Sequence, residues 1–398
     1  MIALSELETL AVGLFALVVA NAIVRHLPVL ARLNVPTPVI GGLLVAVAVG
    51  LFYRRTGTSI QFAGKLTEFF LLMFFTTVGL SAKFASLKAG GRPLLILCAV
   101  TVILLITQNV LGLLVSSATG AHPFYGLLIG SISFVGGPGT AAAWAKEAQA
   151  IGLERAPEVA VGAATLAVIV GAMVAGPITG WLIRRNKLQG SAAETPAMWV
   201  SPEAKRPIPQ QSISTILGLL FLIVIAVVAG AALNEWGRDV GVVLPGFLTA
   251  MLAGVAITNL GDAIGAKIDL SPIERCGELA LQAFLAMYLM SLKVWMLGAA
   301  LEPLLINVIL QVVVTTLIGV FLLFRWLGRD YDAAVTMGGF LGFGLSSMPV
   351  AMATMDSVAL RYGPSPKAFL LVTLAGSFFV DLANAFIVKG FLSLPMFQ

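Results

Sequence analysis

The sequence predicts an all-α polytopic membrane protein: two inverted-topology repeats, ten transmembrane helices and two re-entrant helical hairpins. Three observations lead there. The 398 residues are 59% apolar and only 11% charged, against roughly 25% charged in an average soluble domain. The apolar residues gather in blocks, and roughly 20 such residues match the thickness of a bilayer core. Finally, two stretches broken by glycine and proline stand at corresponding places in the two halves of the chain.

The apolar blocks lie at 4–24, 38–53, 66–82, 93–118 and 157–183, then at 213–234, 242–260, 276–296, 303–325 and 366–388. Segment 186–212 is polar and rich in Pro, Ser and Lys/Arg, the composition of a solvated linker. It divides a first repeat, 1–185, from a second, 213–398. Setting Lys83 on Lys293 brings Pro93-Leu94-Leu95-Ile96 onto Pro303-Leu304-Leu305-Ile306 and Glu68 onto Glu278. With a small change of register, Gly130 meets Gly338, Gly136 meets Gly344, and Thr165-Leu166-Ala167 meets Thr373-Leu374-Ala375. If 123–150 and 331–360 dip in and return on one side, each half crosses five times. An odd number of crossings inverts the second half.

Charge sets the orientation, because basic residues concentrate on the cytoplasmic side of short loops. With the linker inside and both termini outside, sixteen of the Lys/Arg residues fall inside and eight outside. The net charge of +5 is therefore a topology signal. No basic stripe or aromatic platform suggests nucleic acid. Cys98 and Cys276 are far apart and imply neither a disulfide framework nor a metal site. His26 and His122 stand alone and read as loop or interface residues. The first block has no basic leader and no small-residue cleavage site, so no signal peptide is expected. There is no HExxH, GxSxG or Walker A pattern. That excludes the common hydrolase and nucleotide-driven classes and leaves an ion gradient as the energy source.

The first broken segment contains Gly136-Gly137-Pro138-Gly139-Thr140, and the second contains Gly342-Phe343-Gly344-Leu345-Ser346-Ser347-Met348-Pro349. Neither run continues a helix: glycine is entropically poor there and proline lacks the amide donor. Each also suits the start of a new helix. Backbone groups freed at membrane depth must face protein or water. Amides at a helix start attract anions, and carbonyls ending the preceding segment suit a hard cation such as sodium. The predicted anion site is thus Ser133, Gly136, Gly137, Gly139 and Thr140 with Gly342, Gly344, Ser346 and Ser347. Asp381 lies mid-block without a basic neighbour, and an acid there needs a partner or a task. Sodium coordination is the expected task, with Asn384 one helical turn on. Gln108 and Asn109, also mid-span, are further candidates, with interhelical hydrogen bonding as their simpler role. Thr76, Thr77 and Asp356 are weaker candidates. Lys83, Lys293, Glu68 and Glu278 read as snorkelling residues at span ends.

These residues resemble those of the bacterial glutamate–sodium symporter family along nearly the whole chain. The likeness rests on Val35-Pro-Thr-Pro-Val-Ile-Gly-Gly42, Phe74-Phe-Thr-Thr-Val-Gly-Leu-Ser-Ala-Lys83 and Ala85-Ser-Leu-Lys-Ala-Gly-Gly-Arg92. It continues in Gln108-Asn109, Gly136-Gly-Pro-Gly-Thr-Ala-Ala-Ala-Trp144, Tyr331-Asp-Ala-Ala334, Gly342-Phe-Gly344 and Phe378-Phe-Val-Asp-Leu-Ala-Asn384. It implies sodium as the coupling ion, L-glutamate or a related acidic solute as cargo, and a homodimer. It also implies an elevator-like motion, the bacterial inner membrane, periplasmic termini and a cytoplasmic linker. Two features depart from the family pattern: Pro138 replaces the histidine often found in the first tip, and Ser346-Ser347-Met348-Pro349 replaces small residues followed by Thr-Pro. On the residues alone, a carrier of another carboxylate, a proton-coupled carrier, an ion antiporter or a channel stays open.

Overall fold

The apolar blocks fold as helices whose ends carry recognisable chemistry. Helix α1 (Glu6–His26) opens at a capping box. The Ser5 amide donates to the Glu8 carboxylate at 2.8 Å, and the Glu8 amide donates to the Ser5 hydroxyl at 3.3 Å. Glu6 beside it accepts the amides of Lys65 and Leu66, each at 3.0 Å. A carboxylate from one helix thus satisfies donors that the start of another helix cannot pair internally. Helix α2 (Thr37–Thr56) starts after Pro36 and ends on Gly57 at φ 66°, a left-handed stop that glycine takes without steric cost.

The remaining helices are α3 (Lys65–Leu80), α4 (Gly91–Ala118), α5 (Pro123–Leu128), α6 (Ser131–Phe134), α7 (Gly137–Ala150) and α8 (Ala156–Arg185). After the linker come α9 (Ile213–Asp239), α10 (Gly246–Ala263), α11 (Leu270–Leu289) and α12 (Leu301–Leu317). Helix α12 runs on through a wide π turn, Ile318–Leu323, to Phe324–Trp326. Then follow α13 (Tyr331–Leu345), α14 (Met348–Tyr362), α15 (Pro366–Leu374), a second π turn, Ala375–Phe379, and α16 (Val380–Leu392). A two-stranded parallel ladder pairs Ile2–Ala3 with Ile60–Gln61. In this computed structural model the described residues are 2–27, 36–84, 90–189, 213–239, 244–265, 270–292 and 301–397. Most of the linker and Lys293 lie outside them.

Among the described residues, seven helices are long and apolar enough to cross a membrane: those beginning at Glu6, Thr37, Gly91, Ala156, Leu217, Gly246 and Pro303. The described parts of the expected spans at 66–82, 276–296 and 366–388 are helical for most of their length too, but fall short of that measure for visible reasons. Helix α3 has only 16 residues. Helix α11 carries Glu274, Arg275 and Glu278. The last span is divided by its π turn.

The helices form two packed groups. Helices α1, α2 and α3 pack with α9, α10 and α11. Their crossings are tight because glycine removes the side chain: a Cβ on Gly254 would lie 2.7 Å from the Thr76 carbonyl oxygen, and one on Gly79 would collide with the Met251 carbonyl. Small residues of this kind allow close backbone approach in lipid, where no hydrophobic force drives helices together. Helix α10 also closes the end of α3: Thr258 donates to the Leu80 carbonyl at 2.7 Å and Asn259 to that of Ala82 at 2.7 Å. The second group holds α4, both broken segments, α8, α12, α15 and α16. Its core runs from Leu94 and Leu104 through Phe340 and Phe343 to Val372. The groups meet where α7 lies against α11 and α10. There Trp144 packs edge-on to Phe247, ring centres 5.4 Å apart.

Candidate functional site

Both segments are broken, but the second breaks later than expected: Gly342 and Gly344 continue α13 to Leu345, because glycine only weakens a helix, and the chain leaves it at Ser346 and Ser347. The first segment stops twice. Helix α5 ends at Leu128, Gly130 (φ −91°, ψ −137°) turns the chain, and the short α6 stops again before α7. Helix α7 begins at Gly137, with φ 67° and proline in its first turn. The second segment breaks once. Ser346 (φ −158°, ψ −79°) leaves the helical path, Ser347 is extended between α13 and α14, and Pro349 lies in the first turn of α14. No side chain caps the start of α7 or α14.

The two breaks meet. A Cβ placed on Gly137 would lie 3.2 Å from the Ser346 carbonyl oxygen and 3.5 Å from the Ser347 Cβ. This contact brings together tips more than two hundred residues apart in the chain. Gly139 faces outward from the second group, where a Cβ would approach Leu281 at 2.8 Å and Phe74 at 3.5 Å. The first tip therefore sits at the boundary between the two groups.

A network of buried amides holds the breaks open. Asn109 accepts from the Ser131 amide at 3.1 Å and its hydroxyl at 3.0 Å. Asn384 Oδ1 competes for that hydroxyl at 2.6 Å, and its Nδ2 donates to the Ser131 carbonyl at 3.2 Å. Asn307 donates to the Ile129 carbonyl at 2.7 Å. Gln108 turns the other way, donating to the Gly344 carbonyl at 2.7 Å and to Thr315 at 3.3 Å. Gln311 ties the set together by donating to the Gln108 carbonyl at 2.9 Å. Each of the long helices α4 and α12 thus satisfies a carbonyl freed in the opposite half of the chain.

The predicted residues divide accordingly. Asn109 and Asn384 converge on Ser131, whereas Gln108 serves the second break. The Ser133 hydroxyl is spent on backbone, donating to the carbonyls of Leu128 (2.5 Å) and Ala160 (3.0 Å). Gly136 packs against the Ile132 carbonyl and Thr140, Gly342 against Ala351, and Gly344 against Leu104 and Thr315. The Ser346 and Ser347 hydroxyls lie 3.4 Å apart, beside Gly137. Thr140 and Asp381 make no hydrogen bond or ion pair among the described residues. Asp381 is partly buried in the first turn of α16. Ser131, Asn307, Gln311 and Thr315 were not singled out from the sequence. Asn307, Gln311 and Thr315 recur every four residues in an apolar run, a pattern that marks one polar helix face.

A cavity of about 470 Å³ reaches toward the second tip between α8 and α14. Arg184, Arg361 and Tyr362 stand at the helix ends that line it, and Gly176, Thr354 and Ser357 lie farther along. It extends to Ala172, next to Gly171, where a Cβ would sit 3.0 Å from the Ser346 Cβ. Arg184 is held in place by donating to the Tyr362 hydroxyl at 2.6 Å.

The statistical model of the family described as "Sodium/glutamate symporter" matches residues 2–364. The chain belongs to the sodium/glutamate symporter family. A curated sodium/glutamate symporter from Haemophilus influenzae is 36% identical over 97% of this chain and 96% of its own. One from Escherichia coli is 35% identical over 99% of both. Among solved structures, a sodium proton antiporter from Methanocaldococcus jannaschii aligns over 98% of this chain and 99% of its own, with 12% identity and a TM-score of 0.39. Membership in the sodium/glutamate symporter family makes this a multi-pass membrane protein of a transporter class. Both helix breaks lie inside the matched region.

Proposed function

We propose that this chain carries L-glutamate into the cell together with sodium, binding the solute where the two broken segments meet. One observation carries the reading: two uncapped helix starts, α7 and α14, converge at Gly137, Ser346 and Ser347. Their amides offer partial positive charge to an anion. The hydroxyls of Thr140, Ser346 and Ser347 add donors, the two serines being within 3.4 Å of each other, while Gly136, Gly139, Gly342 and Gly344 let neighbouring segments close tightly around the tips. Ser133 braces the first tip from behind. Sodium is the coupling ion. Its proposed ligands are all oxygens, the donors a hard cation takes: Asp381, Asn384 and Asn109, with carbonyls of the first break. Gln108 acts by positioning Gly344.

In this reading both broken segments are re-entrant, the ten long helical stretches are the spans, and the halves are inverted. Three ion pairs support this threading, because each lysine pairs with an acid that the same ten spans leave on its own face: Lys83 with Asp262 (3.3 Å), Lys146 with Glu68 (3.9 Å) and Lys367 with Asp332 (3.8 Å). The linker then lies in the cytoplasm and the termini in the periplasm of a bacterial inner membrane. The packing into two groups supports an elevator-like motion, with α1–α3 and α9–α11 as the scaffold. The homodimer implied by the family resemblance would be built on that scaffold. The cavity at Arg184 and Arg361 then opens inward as a cationic vestibule.

The test is uptake of L-glutamate into liposomes with sodium and proton gradients imposed separately. Accumulation should follow the sodium gradient; accumulation on a proton gradient alone would overturn the coupling. Asp381→Asn should lower the apparent sodium affinity at least tenfold. Unchanged sodium activation would remove Asp381 from the ion site.

A further inference from the structure

We propose that a groove between the linker-side ends of α8 and α12 binds the phosphate headgroup of an anionic phospholipid. The groove, about 340 Å³, is lined by Trp181 and Arg185 from α8 and by Phe321, Phe324, Arg325 and Arg329 from the end of α12 and the turn beyond it. It rests on the chain being a membrane protein and is independent of what the chain carries.

Three guanidinium groups share this groove, and none has a carboxylate partner among the described residues. Lys83, Lys146 and Lys367 each have one. Like charges gathered at an interface repel unless an anion joins them. The backbone holds them together. The amide of Arg329 donates to the Phe324 carbonyl at 3.1 Å, closing a turn in which Gly328 has φ 107° and Arg329 has φ 60°. A left-handed conformation is uncommon for a residue other than glycine, and here it returns Arg329 to the side of Arg325. Arg185 is fixed differently, its guanidinium 5.0 Å from the centre of the Trp181 ring.

The aromatic residues decide between a lipid and a free anion. Trp181 is 43% exposed and Phe321 60% exposed, each beside an arginine. Indole rings favour the headgroup level of a bilayer, and an acyl chain would cover Phe321 while its phosphate meets the arginines. A small soluble anion makes no use of that apolar wall. Basic pockets between helices on the cytoplasmic side are a recognised form of headgroup site, and this groove lies on the face richer in Lys/Arg.

The test uses the full-length protein purified in detergent. Thermal unfolding is followed with phosphatidylglycerol, phosphatidylcholine or inorganic phosphate added, and retained lipid is counted by native mass spectrometry. Phosphatidylglycerol should raise the unfolding temperature, and the other two should not. Each arginine lost should cut retained phosphatidylglycerol about fivefold. R185Q/R325Q/R329Q together should abolish the shift, while Arg54→Gln at the opposite face leaves it intact. Should the triple variant fail to fold, R325Q and R329Q singly give the same readout. The proposal is overturned if phosphatidylglycerol acts equally on wild type and variants, or if inorganic phosphate alone reproduces the shift.

Discussion

The two helix breaks are made from similar residues yet are held very differently. At the first, Asn109, Asn384 and Asn307 from three helices bind the backbone and hydroxyl around Ser131 and Ile129. At the second, one side chain, Gln108, reaches the Gly344 carbonyl, and the amides of Ser346 and Ser347 bond weakly back to α13 at 3.4 and 3.3 Å. The first tip is also pressed against the other helix group through Gly139 and Trp144, whereas the second borders a cavity. A buried amide network rigidifies when its members are paired. The comparison therefore makes the first tip the more constrained of the two, and the second the one with fewer bonds to its surroundings.

Substitutions at the contact between tips should have the largest effect. Gly137→Val forces a branched side chain into a left-handed backbone facing Ser346, so uptake should vanish while membrane insertion, read by fractionation, persists. Next comes a cross-link. The Cβ position at Gly137 lies 3.5 Å from that of Ser347, within the usual disulfide range of about 3.5–4.5 Å. G137C/S347C, with Cys98 and Cys276 replaced by alanine, should oxidise readily and stop uptake until reduced. If no cross-link forms, the two tips do not meet. Asn109→Leu leaves the buried Ser131 amide without its acceptor and should cost about 1–3 kcal/mol of stability. Gln108→Leu removes one donor from a carbonyl and should cost nearer 1 kcal/mol; equal losses in chemical denaturation would break the comparison. The smallest effect is expected from Ser347→Ala, a few-fold rise in KM for L-glutamate with little change in stability.

Much of this was legible in the sequence because it is local. Gly136-Gly137-Pro138-Gly139 cannot propagate a helix, and Ser346-Ser347-Met348-Pro349 announces a helix start, so both segments break, the second only past its glycines. Asn109 was singled out as an amide in an apolar run, and Asn384 because it lies one helical turn from Asp381. What that partner was did not follow. Ser131 is an ordinary serine in sequence, and its place between Asn109 and Asn384 is fixed by packing across 253 positions. Gln108 and Asn109 are neighbours, yet adjacent residues on a helix point about 100° apart, which sends one to each break. The stop at Gly130 was missed because a lone glycine is tolerated in a helix at modest cost. The grouping of α1–α3 with α9–α11 depends on contacts that no local pattern encodes.

The π turn at Ile318–Leu323 has a consequence for the direction in which its helix ends. Between Pro303 and Gly338 the chain is two residues shorter than between Pro93 and Gly130. In an α-helix a difference of two residues is a rotation of about 200°. A π turn absorbs one extra residue without advancing the helical phase. The effective deficit becomes three, a rotation within about 60° of a whole turn. Within this helix the widened turn thus works as an angular spacer, turning Phe324–Trp326 back toward the phase that a helix two residues longer would give them.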